Sequence, residues 1–591
     1  MCGIVGEIDL EKKISEQEFN ALRDTLIHRG PDDAGSTFLK NNHIALGHRR
    51  LSFLDLSKNG TQPLANKNNT IFITFNGEIY NYLELKEALK DDFDFQTNTD
   101  TEVIIAAYKK WGIKCLEHLK GMFAFALLDL ESEKLFLVRD RFGIKPLYYY
   151  KNDKNLIFAS ELKGIVASPK YQKEVDFSAF TDYFVYRYIP SPKTIWKGIK
   201  KLPPANYLCF DINSLSFTSE EYWKLNSSDE KTETTQLINE IGDLLENSVK
   251  EHIRADVPIG SFLSGGYDSS ALVSFMVKTQ YKPKTFSIGF DNWEKSEDLF
   301  AKIVAEHLHV ENESVVTDKK SLEHIEKMPD VYDEPIADIS IIPTFMVSAL
   351  ARKKVKAVLS GEGADEIFGG YTWQKDFFDL CYPKKLSEKL KIKLKKPDTV
   401  SYYANAMAMG WFDSEELKKM LTPKYHQYIN DDVHWFYRKH YNKKISPLKS
   451  IQQMDAKCFM GELVLTKIDR ASMANSLEVR VPFLDHEIFE KIFKTKENLY
   501  FKKGVTKFVL KENIKNDLPN AILERNKQGF VGPDSYYMDL KWYAQHLEKS
   551  TLVANGIIQQ SYIDNLLKED YNWKLWKILV MEKWFKKWIT Q

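Results

Sequence analysis

The rhythm of apolar and polar positions changes twice along this chain. Over residues 1–215 the apolar positions fall in short runs rich in β-branched and aromatic residues, each closed by turn formers. Examples are "NTIFITFNGEIY" (69–80), "GMFAFALLDL" (121–130) and "EKLFLVRD" (133–140). That is the pattern of β-strands. Helical spacing is scarce there; "EVIIAAYKKWG" (102–112), stopped by Gly112, is the clear case. Residues 211–235 are polar and turn-rich and predict a linker. Beyond it, helical "TQLINEIGDLLENSVKEHIRA" (235–255), strand-like "VPIGSFL" (257–263), helical "DSSALVSFMVKTQ" (268–280), strand-like "KTFSIGF" (284–290) and helical "SEDLFAKIVAEHLH" (296–309) alternate. Alternation of this kind predicts an open parallel sheet covered by helices. The remainder is mostly helical in pattern. The expected fold class is thus an α+β N-terminal domain of antiparallel sheets (1–215), followed by an α/β domain that ends in a mostly helical part (235–591).

Composition narrows the function. With 591 residues, more than one domain is expected, and 43% hydrophobic residues suffice for sizeable cores. Lys+Arg and Asp+Glu both number 83, which argues against a surface made to coat nucleic acid. The basic run 383–397 reads as a solvated segment. The five cysteines (2, 115, 209, 381, 458) form no CxxC pair, so neither a zinc ribbon nor a disulfide framework is expected, and a reducing compartment fits. No signal peptide and no membrane span are expected, which leaves a cytoplasmic protein that binds neither membrane nor nucleic acid.

Three stretches carry chemistry. "MCGIVGEI" puts Cys2 where removal of Met1 would give its thiol a free α-amine on the same residue, a base for its own nucleophile. "SFLSGGYDSSALV" (261–273) runs strand, two glycines, helix, which brings backbone N–H groups and a helix N-terminus toward an anion. Ser264 and Ser269 add hydroxyls, and Asp268 could hold Mg²⁺. It is not a Walker A loop. "KAVLSGEGADEIFGGY" (356–371) is a second strand-to-turn junction, with Glu362, Asp365 and Glu366. Ligands of open α/β sheets bind at such carboxyl ends.

With these segments on the page the chain resembles the glutamine-hydrolysing asparagine synthetases. The likeness also runs through "HRGPDDAG" (28–35), "LGHRRLSFLDLS" (46–57), "FNGEIYNY" (75–82), "TDTEVI" (99–104), "RDRFGIKPLYY" (139–149), "YDEPIADISIIPT" (332–344), "DRASMANSLEVRVPFLDH" (469–486) and "ERNKQGF" (524–530), in order. It implies a class II, Ntn-type glutamine amidotransferase sandwich followed by a PP-loop ATP-pyrophosphatase domain.

The resemblance also implies roles. Cys2 attacks glutamine. The Asn76 side chain and Gly77 N–H form the oxyanion hole. Arg50, Leu51, Ser52, Glu78 and Asp100 bind glutamine, with Arg50 or its neighbour Arg49 on the α-carboxylate. Leu263, Ser264, Gly265, Gly266, Asp268, Ser269, Ile288, Ser360 and Gly361 bind ATP, and Asp268 and Asp365 bind Mg²⁺. Glu362 serves as a base near the acyl-adenylate, and Lys527 neutralises phosphate charge. Ammonia crosses between the two sites by an apolar tunnel, and family members are often homodimers. The motifs read glutamine and ATP but not the acceptor. Aspartate is the leading acceptor; another carboxylate, such as a uronic acid sugar, is the rival. A tRNA-directed PP-loop enzyme would want a basic face and CxxC pairs, and a non-catalytic scaffold would not keep Cys2, Asn76, Asp268 and Asp365 together.

Overall fold

A computed structural model describes residues 2–230, 232–382, 398–501, 505–525, 532–569 and 572–590. The N-terminal half holds two six-stranded antiparallel sheets. In the first, the order is Ile199–Lys201, Tyr148–Lys151, Asn155–Ala159, Gly3–Asp9, Ile44–Arg50, Asp33–Leu39. In the second it is Phe217–Glu221, Asn206–Asp211, Lys134–Arg139, Gly121–Asp129, Ile71–Ile79, Leu64–Ala65. The alternating apolar residues of both, among them Ile4, Leu46, Phe72, Ala126, Leu137 and Phe158, close into one core between the sheets. Gly6 shows how tightly: a Cβ there would lie 2.1 Å from the Phe158 ring. The helix expected from residue 102 starts at Asp100, because the Thr99 side chain accepts a hydrogen bond from Glu102 N. Its apolar face covers the outside of the second sheet.

The second half opens with the helix Thr234–His252 and builds a five-stranded, all-parallel sheet. Its order is Glu311–Thr317, Lys284–Phe290, Ile259–Phe262, Ala357–Leu359, Glu478–Arg480. The helices Tyr267–Lys278 and Glu297–Leu308 follow the strands as the alternation predicted. The antiparallel sandwich, the parallel sheet and the helical C-terminal part are the three expected architectures.

The halves are not separate bodies. Tyr183, Phe184 and Trp196 from the N-terminal half lie in one buried cluster with Trp576, Leu579 and Trp584 of the C-terminal helices. Hydrophobic patterning cannot reveal such a shared core, because each face reads as ordinary amphipathic surface. No helix of the described residues is long and apolar enough to cross a membrane. The basic run 383–397 lies outside the described residues.

Candidate active sites

The first site lies at the edge of the sandwich. Cys2 precedes the central strand Gly3–Asp9 and is buried. Its backbone N donates to Asn76 Oδ1 at 2.9 Å. Nδ2 of the same amide is buried with no hydrogen-bond partner among the described residues. A buried unpaired donor is costly unless something transient uses it. Gly77 follows, and a Cβ there would lie 2.1 Å from the Met122 carbonyl oxygen, so only glycine fits this close strand approach. Burial pushes the Cys2 thiol up, while the Leu51 N–H and the Arg50 charge pull it down. Arg49 bends away, with Nε on the Gly30 carbonyl (3.1 Å). Arg50 lies under the 54–57 turn and donates to the carbonyls of Leu54 (3.1 Å), Asp55 (2.6 Å) and Ser57 (2.9 Å). Ser52 N donates to Asp32 at 3.0 Å. Asp100 accepts from Ile79 N at 2.9 Å, and burial raises its carboxyl to about 6.

Two groups absent from the expected list complete this end. Arg29 Nε donates to the Cys2 carbonyl at 3.0 Å, and its Nη1 reaches Glu161 (2.7 Å) and Asp469 (2.8 Å). Arg480, from the parallel sheet, places Nη2 3.3 Å from Glu78. Both sit inside motifs that the sequence marks, "HRGPDDAG" and "LEVRVPFLDH", but no local pattern shows which residue of a motif crosses to the other half.

The second site is a cavity of about 560 Å³ at the carboxyl ends of the parallel strands. Leu263, Ser264, Gly265, Gly266, Asp268, Ser269, Ser360, Gly361, Glu362 and Asp365 all line it, so two loops nearly a hundred residues apart converge as the sequence implied. Ile288 is buried in its strand, while its neighbour Ser287 faces the cavity. Ser269 Oγ accepts from Ser264 N at 3.1 Å, which folds the loop round the helix start. Gly265 takes φ +68°, and a Cβ there would lie 2.4 Å from Phe300 Cβ.

Lys507 stands at the centre. Its Nζ is 2.6 Å from Asp268 and 2.6 Å from Asp365. Burial would lower this ammonium, but the two carboxylates raise it above the ordinary lysine value. Sequence reading passed it over, because "VTKFVLK" carries no phosphate-loop pattern. Lys527, which was expected in this role, lies outside the described residues. Because both carboxylates reach one cationic atom, the pair fits a divalent cation shared with phosphate oxygens.

Glu362, which also lines the cavity, has a buried Oε2 with no hydrogen-bond partner among the described residues, and burial raises its carboxyl. Lys467 acts on it; its Nζ donates to Ser340 Oγ at 2.7 Å and lies 3.9 Å from Asp338, whose charge is also felt by Arg187 of the N-terminal half, a residue that lines the same cavity. Arg187 Nε is buried with no hydrogen-bond partner among the described residues.

The comparisons agree with this arrangement. The family Asparagine synthase matches residues 240–586, and the Glutamine amidotransferase domain matches residues 1–223. Asparagine synthetase [glutamine-hydrolyzing] 1 of Bacillus subtilis is 34% identical over 99% of this chain and 96% of its own length. A putative asparagine synthetase [glutamine-hydrolyzing] 2 of Methanocaldococcus jannaschii is 36% identical over 82% of this chain and all of its own. Amidase chry2 of Gibberella zeae is 29% identical over 88% of this chain and 86% of its own. A Cys2-centred sandwich joined to an ATP-sized cavity, with both halves matched along their length, makes this chain a member of the glutamine-hydrolysing asparagine synthetase family, which are ATP-dependent carbon–nitrogen ligases.

Proposed function

We propose that the chain makes asparagine from aspartate, ATP and glutamine. The observation that supports the acceptor is the charge pattern in the cavity that Glu362 lines: Lys467 and Arg187 as cations grouped on Asp338 as an anion. An amino acid with a second carboxylate needs that complement. The cations take its α-carboxylate and Asp338 takes its α-ammonium, which leaves the side-chain carboxylate toward the phosphate loops.

In this reading, Cys2 becomes the first residue after Met1 is removed. Its thiolate attacks the glutamine amide, and the oxyanion takes Asn76 Nδ2 and Gly77 N–H. Ammonia leaves and water releases glutamate. In the cavity, the aspartate side-chain carboxylate attacks the α-phosphorus of ATP. The bond to the β-phosphate breaks, giving β-aspartyl-AMP and pyrophosphate. Ser264, the two glycines and Ser269 hold the leaving phosphates while Lys507 balances their charge. Mg²⁺ would be held by Asp268 and Asp365 and would neutralise further phosphate charge. Ammonia from the first site attacks the acyl-adenylate, Glu362 takes a proton, and AMP leaves. A cytoplasmic site of action suits the free state of all five cysteines.

A second reading keeps the machinery and changes the acceptor to another carboxylate. The deciding experiment follows pyrophosphate release and product mass with ATP, Mg²⁺ and glutamine present. Aspartate should release pyrophosphate and yield asparagine one-to-one with AMP. Aspartate left unamidated at millimolar concentration, while a uronic acid sugar is converted, would establish the second reading.

A further inference from the structure

Arg480 belongs to the parallel sheet, yet its side chain ends in the glutamine site. It is fully buried in the strand Glu478–Arg480, which pairs Leu359 with Arg480 in register. Its backbone carbonyl accepts from Ser360 N at 2.9 Å, and Ser360 is the first residue of the second ATP loop. Its Nε donates to Glu478 at 2.5 Å, and Nη1 donates to the carbonyls of His252 (2.7 Å) and Arg254 (2.9 Å). Among the described residues Nη2 is buried with no hydrogen-bond partner, 3.3 Å from Glu78 Oε1. The guanidinium also lies over the Phe53 ring, 5.4 Å from its centroid, and Phe53 is part of the turn that covers Arg50.

Neighbouring ties run the same way. Asp55 N donates to Asp256 at 2.9 Å, which pins the glutamine turn to the second half. Lys356, just ahead of the strand Ala357–Leu359, reaches Asp32 at 2.7 Å, and Asp32 accepts from Ser52 N at 3.0 Å. The strands whose carboxyl ends carry the ATP loops therefore hold, at their amino ends, the walls of the glutamine pocket.

We infer that Arg480 is a positioning residue of the glutamine site supplied by the synthetase half, and that it links the ATP loop to Glu78. One residue bonds to Ser360 through its backbone and faces Glu78 through its side chain. A shift of the 360–362 loop on binding ATP and acceptor moves the strand end, and with it the guanidinium. Glu78 and the Phe53 turn then take the geometry that grips glutamine. Glutamine is hydrolysed efficiently when an acyl-adenylate is there to use the ammonia. Two distinct sites biasing one shared element is what coupling requires. The inference rests on the proposed two-site reaction.

The test measures glutamate release by the full chain and by Arg480→Lys, with and without ATP, Mg²⁺ and aspartate. Lysine keeps the charge but cannot span Glu478, two carbonyls and Glu78 together. The expected result is a KM for glutamine raised about tenfold with kcat at saturating glutamine little changed. The wild type should release glutamate faster when ATP and aspartate are present, and that stimulation should be lost in Arg480→Lys. A glutamine KM unchanged in Arg480→Lys, or stimulation of wild-type size, overturns the inference. Lys356→Met leaves the buried cluster intact and serves if Arg480→Lys does not fold. It should raise the glutamine KM about threefold and weaken the stimulation, and wild-type values in that variant likewise count against the inference. A wild-type chain that hydrolyses no glutamine overturns both the inference and the reading beneath it, whereas wild-type hydrolysis with normal Arg480→Lys behaviour overturns the inference alone.

Discussion

The two ends of the Asn76 side chain differ: its Oδ1 accepts from Cys2 N at 2.9 Å, and its Nδ2 has no hydrogen-bond partner among the described residues. In the proposed reaction the acceptor end orients the nucleophile's own amine, and the donor end serves an oxyanion that exists only during the reaction. An interaction made only in the transition state changes kcat and leaves KM nearly alone.

Asn76→Ala should therefore lower kcat for glutamine hydrolysis by about 10²–10³ with little change in glutamine KM. Asn76→Asp replaces the donor by an anion and should be at least as poor. Steady-state glutamate release checks both. A KM effect without a kcat effect would place Asn76 in ground-state binding instead. Cys2→Ala should abolish glutamate release, while synthesis from ammonium salts continues.

Lys507 gives the second prediction. Its ammonium separates two carboxylates that would otherwise repel each other across one pocket. Lys507→Met should cut pyrophosphate release at least about 10²-fold with either nitrogen source and spare glutamine hydrolysis. The variant's thermal midpoint should rise on adding Mg²⁺ by more than the wild type's does, because the cation then supplies the missing charge between Asp268 and Asp365. Equal Mg²⁺ effects on both proteins would show that the pair does not hold the metal.

Why was Asn76 legible in the sequence and Lys507 not? Asn76 and Gly77 lie inside the strand Ile71–Ile79, and it is the resemblance carried by "FNGEIYNY" that singles them out. The SGG turn at 264–266 is visible in the residues themselves, since glycine marks where backbone must approach a ligand or a neighbouring side chain closely. Lys507 lies outside any strand, at φ +54°, and enters the cavity from residues far away in sequence. Arg187 and Arg480 are harder still. Each is one arginine in a plausible local setting, and only the packing of the halves shows that each crosses into the other's site. Arg187 caps the helix Phe177–Tyr186, which shares its core with the C-terminal helices. The fold was readable from periodicity, and the phosphate and nucleophile loops from local chemistry. The cross-half residues were hidden because tertiary contact leaves no period.

A pH profile tests the glutamine site. Burial raises the Asp100 carboxyl to about 6, while the Ile79 N–H and the Arg480 charge draw it down. Burial likewise pushes Glu78 up against the pull of Arg480. The resemblance gives Asp100 the α-ammonium of glutamine; in the proposed reaction that contact needs the ionised acid, which prevails above the raised pKa and is lost as pH falls through it. Thus kcat/KM for glutamine should fall about tenfold per pH unit below an apparent pKa near 6, with the limb belonging to the Asp100–Glu78 pair. The kcat limb should lie lower, because bound substrate stabilises the anion. Asp100→Asn should remove the limb and lower kcat/KM at neutral pH. A wild-type profile flat from pH 5 to 7 would mean that neither acid binds the substrate amine.

The last prediction concerns the acceptor. Arg187 Nε is buried with no hydrogen-bond partner among the described residues, yet the residue lines the cavity together with Asp338 and Lys467. A buried guanidinium N–H without a partner is stabilised when an anion takes it up, and a carboxylate can take two parallel N–H donors from an arginine. Arg187→Ala should raise the KM for aspartate about 10–100-fold, with ATP KM and glutamine hydrolysis near wild type, because the deletion removes a charge-assisted contact made in the ground state and the transition state alike. Arg187→Lys should recover part of the loss. Its shorter, non-planar head reaches the carboxylate with one donor where the guanidinium offers two. The check is the initial rate of pyrophosphate release against aspartate concentration at saturating ATP and ammonium. If Arg187→Ala leaves that curve unchanged but lowers kcat for every acceptor, the arginine acts on the phosphates and the acceptor's carboxylate is bound by Lys467 alone. If the curve shifts for aspartate and not for a uronic acid sugar, the cavity's charge pattern is read by the amino-acid end of the acceptor, and aspartate is the molecule this end was shaped to hold.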